Sequence, residues 1–451
     1  MKKKLFLWKL ILVLVMVTLV TSCAPAAEPT AEPTAEPTSE DTQNQEVIEL
    51  TMWDIPASEA YTIWWENYID EFNSTHPNIK VNLEVFEMEA MRAKTLAAVA
   101  SETAPEILYS QPYPEIREAV RDGILITLDD YINADSLDPL AREIVTVDGK
   151  VAGVPIMLAP SYIYYNKDQF AEAGVDPQQW ANPNQPTWEE FLDAGDKLKA
   201  AGFPPIMLGG ATLWGPLKWY WSFHHRYGGF QGLIDAVAGE NGGSFESKPF
   251  INAGYLLQDL EKRGYFIDGY NAIGEDTMYS RWANGDGAMI YMGLWLLGSL
   301  ADAPEDFEFG FFDFPSFSDG DQCCQQTTQG GVEAFWVPRT AEHPEAVGEF
   351  FKKYLEKETA IDYTENSGYL SPVAGVVPDN VGPESPMIDQ VADLFRVASK
   401  GLFSWYDHNI PAAVNEIQFK NIQALLAGDM TPEEFSSLQE AAAITVREMI
   451  K

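Results

Sequence analysis

The sequence predicts an α/β protein built of two bodies, with the chain passing between them more than once. Three observations carry this. From Val47 to Tyr109 the pattern runs strand, helix, strand, helix, strand, the signature of a doubly wound layer whose ligands sit at the carboxyl ends of its strands. The stretch Asp148–Phe170 sets two strand-like runs almost back to back, as where a chain leaves one packed body and enters another. A length of 451 residues is sufficient for two or three domains.

Val47 to Trp53 alternates apolar and polar as a half-buried strand, and Trp53-Asp54 falls at its carboxyl end. A helix over Glu59–Phe72 stops before His76-Pro77. Ile79–Phe86 is a second strand ending at Glu87, and Ala90–Ala100 an Ala-rich helix. Glu106–Tyr109 is a third strand leading into Ser110 and Gln111. Trp53, Asp54, Glu87, Ser110 and Gln111 thus occupy strand ends. The turn Asp148-Gly149-Lys150 opens the crossing, which carries Tyr162, Tyr164 and Tyr165. Thr187, with Glu190 three residues on, forms a capping box and starts a helix to about Ala201. Pro205–Leu208 reads as a short strand, and Gly209–Gly229 concentrates Trp214, Trp219, Tyr220, Trp221, His224, His225 and Tyr227. Helices over Ala253–Arg263 and Thr277–Asn284 precede a strand, Ala288–Tyr291, that ends in Gly293-Leu294-Trp295. A further strand covers Phe307–Phe314. Gly330 to Val337 reads as a strand crossing back, Ala346–Leu355 as a helix, Gly368–Pro372 as a third crossing, and the remainder as mostly helical.

Ahead of these elements, residues 1–22 combine a Lys-rich start with an apolar run from Leu10 to Val20, as a secretory signal does. The run is short for a spanning helix and no later segment is long and apolar enough to span. Residues 23–46 hold Ala-Glu-Pro-Thr three times, a Pro-rich acidic tract that cannot bury a core and is expected to be an extended tether. The net charge is −39, and without residues 1–22 the chain has 25 basic against 68 acidic groups. Such a surface repels polynucleotides and anionic headgroups, which excludes nucleic acid as a partner.

The ordered series of motifs resembles the bacterial extracellular solute-binding proteins of family 1, the maltodextrin-binding type that serves sugar ABC importers. It comprises Leu50-Thr51-Met52-Trp53, Phe72 to Val81, Ala104-Pro105-Glu106-Ile107, Gly149 to Pro155, Tyr164 to Asp168, Pro186 to Glu190, Gly285 to Trp295, Gly330-Gly331 and Ser371-Pro372. Glu106 stands where the family usually has Asp, and Gly293-Leu294-Trp295 where it has Gly-Pro-Trp. Val20-Thr21-Ser22-Cys23 resembles a bacterial lipobox, which implies diacylation of Cys23. The resemblance implies a periplasmic-binding-protein type II fold with two α/β lobes joined by hinge crossings. Residues 47–157 and 331–367 would form one lobe and residues 158–330 and 368–451 the other. It further implies a monomeric, non-enzymatic, extracytoplasmic receptor, held at the membrane by Cys23, that passes a sugar to ABC permease subunits without a cofactor.

Sugars present flat C–H faces edged by hydroxyls, so their sites combine aromatic platforms with carboxylates and amides. Trp295 matches the family's stacking tryptophan. Trp53, Tyr164 and Trp405 fit a platform or the core equally, and at least one of Trp214, Trp219 and Trp221 is expected to line the cleft. Asp54, Gln111 and Glu333 are candidate hydroxyl partners, with Glu365, Asn366 and Asp407 behind them. Glu87, Ser110, Gly331 and Tyr369, at strand ends and crossings, complete the expected ligand-binding set. His224-His225 lacks the further His or Cys that a metal would require, so no metal is expected. Adjacent Cys323 and Cys324 allow either a vicinal disulfide or two free thiols, and a ring there is expected at the cleft edge in contact with ligand. Two other functions compete: a receptor for a polyamine, peptide or other solute, and a lipid-anchored glycoside hydrolase. The chain lacks the G-x-S-x-G, H-E-x-x-H, Walker and dinucleotide patterns.

Overall fold

The computed structural model describes residues 47–180, 184–300, 303–367, 369–376 and 402–450. The expected signal segment, Cys23 and the tether lie outside the described residues. No helix among the described residues is long and apolar enough to cross a membrane.

The first half begins with β1 (Ile48–Asp54), α1 (Glu59–Thr75), β2 (Ile79–Val85), α2 (Met88–Ser101), β3 (Ile107–Ser110) and α3 (Pro114–Arg121). Strand β1 pairs in parallel with β2 and β3, as an alternation of strand and helix requires. After α4 (Pro139–Ile144), a hairpin of β4 (Thr146–Val147) and β5 (Lys150–Val151) turns at Asp148 and Gly149, both at positive φ, the conformation for which Asp-Gly is suited. Strand β6 (Gly153–Asn166) follows, and here the structure corrects the sequence reading. The two apparent runs are one continuous strand of 14 residues.

Strand β6 is shared between two half-sheets. Its first part, Gly153–Pro160, pairs antiparallel with β10 (Thr328–Trp336), and its second part pairs with β8 (Met289–Gly293) and β9 (Phe309–Phe312). Strand β10 runs the other way. It starts beside β11 (Leu402–Ser404) and ends beside β3. The strand order is β2-β1-β3-β10-β6-β8-β7, with β7 at Ile206–Met207. Leu370 bridges Leu158 of β6, so a third strand of chain passes at the same level.

Helices α5 (Lys167–Glu172), α6 (Trp188–Ala201), α7 (Trp214–Ala238), α8 (Lys248–Lys262), α9 (Glu275–Ala283) and α10 (Trp295–Gly298) belong to the β7–β8 side. Thr187 and Glu190 form the expected capping box on α6. The segment rich in Trp is a long helix, α7, kinked at Gly229, where φ is +66°. Two C-terminal helices, Ala412–Ala427 and Pro432–Ile450, return to α7 and α8. Trp221 Nε1 donates to Gln418 Oε1 at 2.9 Å, and Gln258 Nε2 to the Leu425 carbonyl at 2.7 Å. Helices α11 (Pro344–Tyr354) and α12 (Lys357–Ser367) instead pack on α1. The Tyr68 hydroxyl donates to the Phe350 carbonyl at 2.6 Å, and Trp64 Nε1 to Asp362 Oδ2 at 2.8 Å. Each half therefore gathers its own helices, and among the described residues β6 and β10 run between them. The expected third crossing at Gly368–Pro372 does not leave the first half within the described residues, since Asp138 N donates to the Pro372 carbonyl at 2.7 Å and Ala374 N to the Ser136 carbonyl at 2.8 Å.

Candidate functional site

Where the half-sheets meet, the ends of β1 and β3 and the middle of β10 bring polar groups together. Asp54 ends β1 with its carboxylate buried, accepting from the Ile55 N–H at 2.8 Å and the Tyr61 hydroxyl at 2.9 Å. Glu333 projects from β10 and accepts from the Tyr109 hydroxyl and, at 3.2 Å, from Gln111 Nε2; the Tyr113 hydroxyl donates to Gln111 Oε1. Burial pushes both carboxyls above their usual range, partly offset by these hydrogen bonds, while the Glu333 charge raises Asp54 further. Tyr369 lies edge-on to Tyr61, 5.5 Å between ring centres, within electrostatic reach of Glu333, Glu275 and Asp54.

The other bank is aromatic. Trp295 follows β8, Trp214 opens α7, and Trp405 follows β11. Their ring centres form a triangle with sides of 5.5, 5.5 and 5.8 Å. Two glycines seat these rings. A Cβ on Gly331 would stand 2.3 Å from the Trp405 ring, and one on Gly293 would stand 1.9 Å from the Trp295 ring. Trp295 Nε1 donates to the Tyr279 hydroxyl at 2.7 Å and to Glu275 Oε1 at 3.1 Å. Lys218, one helical turn after Trp214, points its ammonium at the faces of Tyr291, Trp214 and Trp295.

Between the banks lies the segment Trp405–His408, with Arg92 and Arg117 facing it from the polar side. Trp405 Nε1, Asp407 Oδ1 and both ring nitrogens of His408 are buried with no hydrogen-bond partner among the described residues. Buried polar atoms are nearly always paired, and each orphan costs about 1–3 kcal/mol. Four of them lie on this one short segment, which makes it a candidate to receive another molecule's hydrogen bonds. Burial drives the Asp407 carboxyl up to about 7, against the pull of Arg92, and the His408 imidazole down to about 3, aided by Arg117 and Arg92. At neutral pH His408 is therefore a neutral ring with one donor and one acceptor to offer. Arg92 sits over the Tyr113 ring at 4.3 Å, and Tyr113 lies edge-on to His408 at 5.4 Å.

Asp54, Gln111, Glu333, Tyr369, Trp214, Trp295, Trp405 and Gly331 all belong to this cluster. Others expected with them lie elsewhere. Tyr164 is buried among Trp282, Phe309 and Phe311, because β6 turns that face toward β9. Trp219 is packed with Phe191, Phe223, Tyr291 and Phe314, and Trp221 lies deeper on α7, fully buried between Tyr406 and the edge of Trp214 at 6.5 Å. Trp53 points to the opposite face of β1 from Asp54, toward Phe86, Lys94 and Glu84. Glu87 is exposed at the N-terminus of α2, and the Ser110 hydroxyl is engaged by the Gln111 carbonyl.

Cys323 and Cys324 are joined as a vicinal disulfide. The ring sits against the α7 kink, where a Cβ on Gly229 would stand 3.0 Å from Cys324 Sγ, and not against the tryptophan triangle. Helical rise puts Gly229 roughly 20 Å along α7 from Trp214, so the expected contact with ligand gives way to one with the helix. His224 stacks on Phe250 and His225 on Phe403.

Residues missed from the sequence include Lys218, Arg92, Arg117, Tyr109, Glu275 and His408. Lys218 alone left a signal, a lysine inside an otherwise apolar aromatic helix. Two surface hollows, of about 620 Å³ around Asp135, Arg142 and Asp148 and about 390 Å³ around Trp64, Lys353 and Asp362, share no residue with the cluster. Both are open and their polar groups are paired or solvated. The buried orphans make the cluster the better candidate.

The model of the family described as bacterial extracellular solute-binding protein matches residues 58–361. The chain is 27% identical over 326 residues to the sn-glycerol-3-phosphate-binding periplasmic protein UgpB of Yersinia pseudotuberculosis serotype I (strain IP32953), covering 68% of this chain and 70% of that one. A solved structure from work on xylan utilization by the thermophilic bacterium Caldanaerobius polysaccharolyticus superposes with a TM-score of 0.75 at 26% identity, over 87% of this chain and 99% of that one. A chitin oligosaccharide binding protein superposes with a TM-score of 0.77 at 22% identity, over 89% and 99%. The fold is that of the type II periplasmic solute-binding proteins, and the chain belongs to the bacterial extracellular solute-binding protein family.

Proposed function

We propose that this protein is a non-catalytic, extracytoplasmic receptor that binds a saccharide between its two half-sheets and delivers it to the permease of an ABC importer. The observation that carries the reading is the tryptophan triangle set beside four buried polar atoms that have no hydrogen-bond partner among the described residues. A pyranose offers C–H faces to Trp214, Trp295 and Trp405 and hydroxyls to Trp405 Nε1, Asp407, His408, Gln111 and Glu333. Relatives whose names specify a polyol phosphate or an oligosaccharide support a hydroxyl-rich ligand. Residues 47–157 with 331–376 and residues 158–330 with 402–450 would move as lobes, the bonds of Tyr369, Pro372 and Ala374 to Ala57, Asp138 and Ser136 placing that stretch with the first lobe, and the chain would flex where β6 and β10 pass between them. Ligand contacts from both banks would favour the closed form. Lipidated Cys23 and the acidic tether would hold the monomeric receptor at the membrane.

Thermal-shift and calorimetric titration of the purified protein against mono- and oligosaccharides, polyamines, peptides and amino acids tests this reading. A ligand that binds only the folded state raises the melting temperature by mass action. The expected result is a shift with a saccharide that disappears in Trp295→Ala. Shifts confined to polyamines or peptides would discard the saccharide, and sugar hydrolysis would discard the receptor.

A further inference from the structure

Two cations are wholly buried beside the aromatic groups of the β7–β8 half, and they are treated very differently. Arg226 is satisfied by carbonyl oxygens: Nε to Pro315 at 3.0 Å, Nη1 to Cys324 at 2.5 Å and to Thr327 at 2.9 Å, and Nη2 to Phe314 at 2.9 Å. Such an arrangement is structural, tying α7 to the loop that carries the disulfide. Lys218 is 0% exposed, and its ammonium reaches no oxygen among the described residues. Its one hydrogen-bond contact is Met292 Sδ at 3.9 Å, a weak acceptor. Otherwise it faces three rings, with centres at 4.6 Å (Tyr291), 4.7 Å (Trp214) and 5.3 Å (Trp295). The acid within electrostatic reach is Glu275, whose Oε1 already accepts from Trp295 Nε1 and the Tyr279 hydroxyl.

An ammonium stripped of water is costly to a fold, and cation–π contact recovers only part of that cost; burial accordingly pushes Lys218 well below its usual range toward the neutral amine, with the Glu275 charge opposing. Nothing in the packing of α7 calls for it, since the neighbouring positions Leu217 and Trp219 are apolar and buried. Two of the rings around Lys218, Trp214 and Trp295, are only half-buried and belong to the platform described above. The Lys218 nitrogen is therefore held against the platform rings with no oxygen acceptor among the described residues. We propose that Lys218 is a ligand-contacting residue and that the bound polyol carries an oxyanion, a uronate carboxylate or a phosphate, which this ammonium neutralises. The proposal rests on the saccharide reading. A neutral hydroxyl would accept one hydrogen bond and do little to favour the charged form, whereas an oxyanion offsets the cost of burial, draws the amine back to an ammonium and accepts charge-assisted bonds from it. The carboxyls across the site, Asp54 and Glu333, are shifted by burial toward their neutral forms, which lessens their repulsion of an anionic guest.

Calorimetric titration of the full chain with three matched pairs tests the proposal: D-galactose and D-galacturonate, xylotriose and its glucuronate-substituted form, and glycerol and sn-glycerol 3-phosphate. The acidic member of at least one pair is expected to bind 10-fold or more tightly than its neutral partner. The pair that shows the preference separates carboxylate from phosphate. In Lys218→Met the ratio of the two affinities is expected to fall to within about 2-fold of one, while Lys218→Arg, which keeps the charge, retains the preference. If Lys218→Met does not fold, the preference in the native chain should shrink as salt is raised, and an acidic preference indifferent to salt overturns the proposal. Equal binding within every pair, or an acidic preference that survives in Lys218→Met, overturns the oxyanion and leaves the saccharide reading standing. Absence of binding by all six compounds overturns the oxyanion proposal and counts against the saccharide as well.

Discussion

The two banks of the site solve opposite problems. On the aromatic bank the groups that would meet ligand also hold the fold together. Trp405 is buried, seated on Gly331, and in edge contact with Trp214, Trp295 and His408. On the polar bank and its facing segment, Asp54, Glu333 and Asp407 are carboxyls taken from water with incomplete compensation. Apolar burial is favourable with or without ligand, whereas a buried carboxylate weakens the fold until something donates to it. Mutations on the aromatic bank should therefore cost stability and binding together. Those on the polar side should cost binding while leaving stability unchanged or improved.

The sharpest break of this contrast is Trp405→Ala, which removes a buried indole and is expected to cost about 3–5 kcal/mol of unfolding free energy, along with ligand binding. Gly331→Val should act in the same direction by driving a side chain into the same ring. Denaturant titration checks both, and a Trp405→Ala protein as stable as its parent would end the claim that this bank supports the fold.

Asp407→Asn should do the reverse. The folded carboxyl titrates at about 7, above its unfolded value near 3.9, so its protonated form is favoured in the fold. The native chain holds this contribution fully below the unfolded value and loses it as pH rises toward 7. The amide variant should be more stable than the parent at pH 7.5, by up to roughly 4 kcal/mol, with the difference vanishing near pH 4. Melting curves across that range test the sign.

Glu333→Gln keeps an acceptor for the Tyr109 hydroxyl but removes the charge offered to ligand hydroxyls. Affinity should fall by about 10- to 100-fold, the worth of a charged hydrogen bond, with no loss of stability at neutral pH. Titration calorimetry and melting on the same preparation separate the two effects. Reduction of the Cys323–Cys324 bond should do least. It closes no loop of intervening residues, so the chain-entropy contribution is small, and a stability change under about 1 kcal/mol is expected. Alkylation and mass spectrometry without reductant verify the bond.

Local order was written in the sequence by itself. The alternation in β1, the turn residues Asp148 and Gly149, and the Thr187–Glu190 capping box act over a few residues, and each appears in the structure where the sequence puts it. The family motifs extend that legibility to the fold, because they lie in order along most of the chain. Asp54 and Gln111 could be placed beforehand as polar residues at strand ends where an α/β layer opens, whereas Glu333 lies within β10 and joins them only through the pairing of β10 with β3. Which tryptophans meet was not readable. Trp214, Trp295 and Trp405 come from the start of a helix and the ends of two strands, while Trp219 and Trp221, on the same helix as Trp214, turn into the core. Helical phase turns Trp219 away, but Trp221, two turns on, shares the face of Trp214 and touches its ring at 6.5 Å, so only the packing of neighbouring elements leaves Trp214 half-buried at the site and Trp221 fully buried against Tyr406. The same is true of β6, whose unbroken run through both half-sheets depends on a change of partner from β10 to β8 and β9. Lys218 is the plainest case. A lysine by itself suggests a solvated charge, and only the rings closed around it by tertiary folding leave this one dry, pushed toward its neutral form and with no oxygen partner among the described residues.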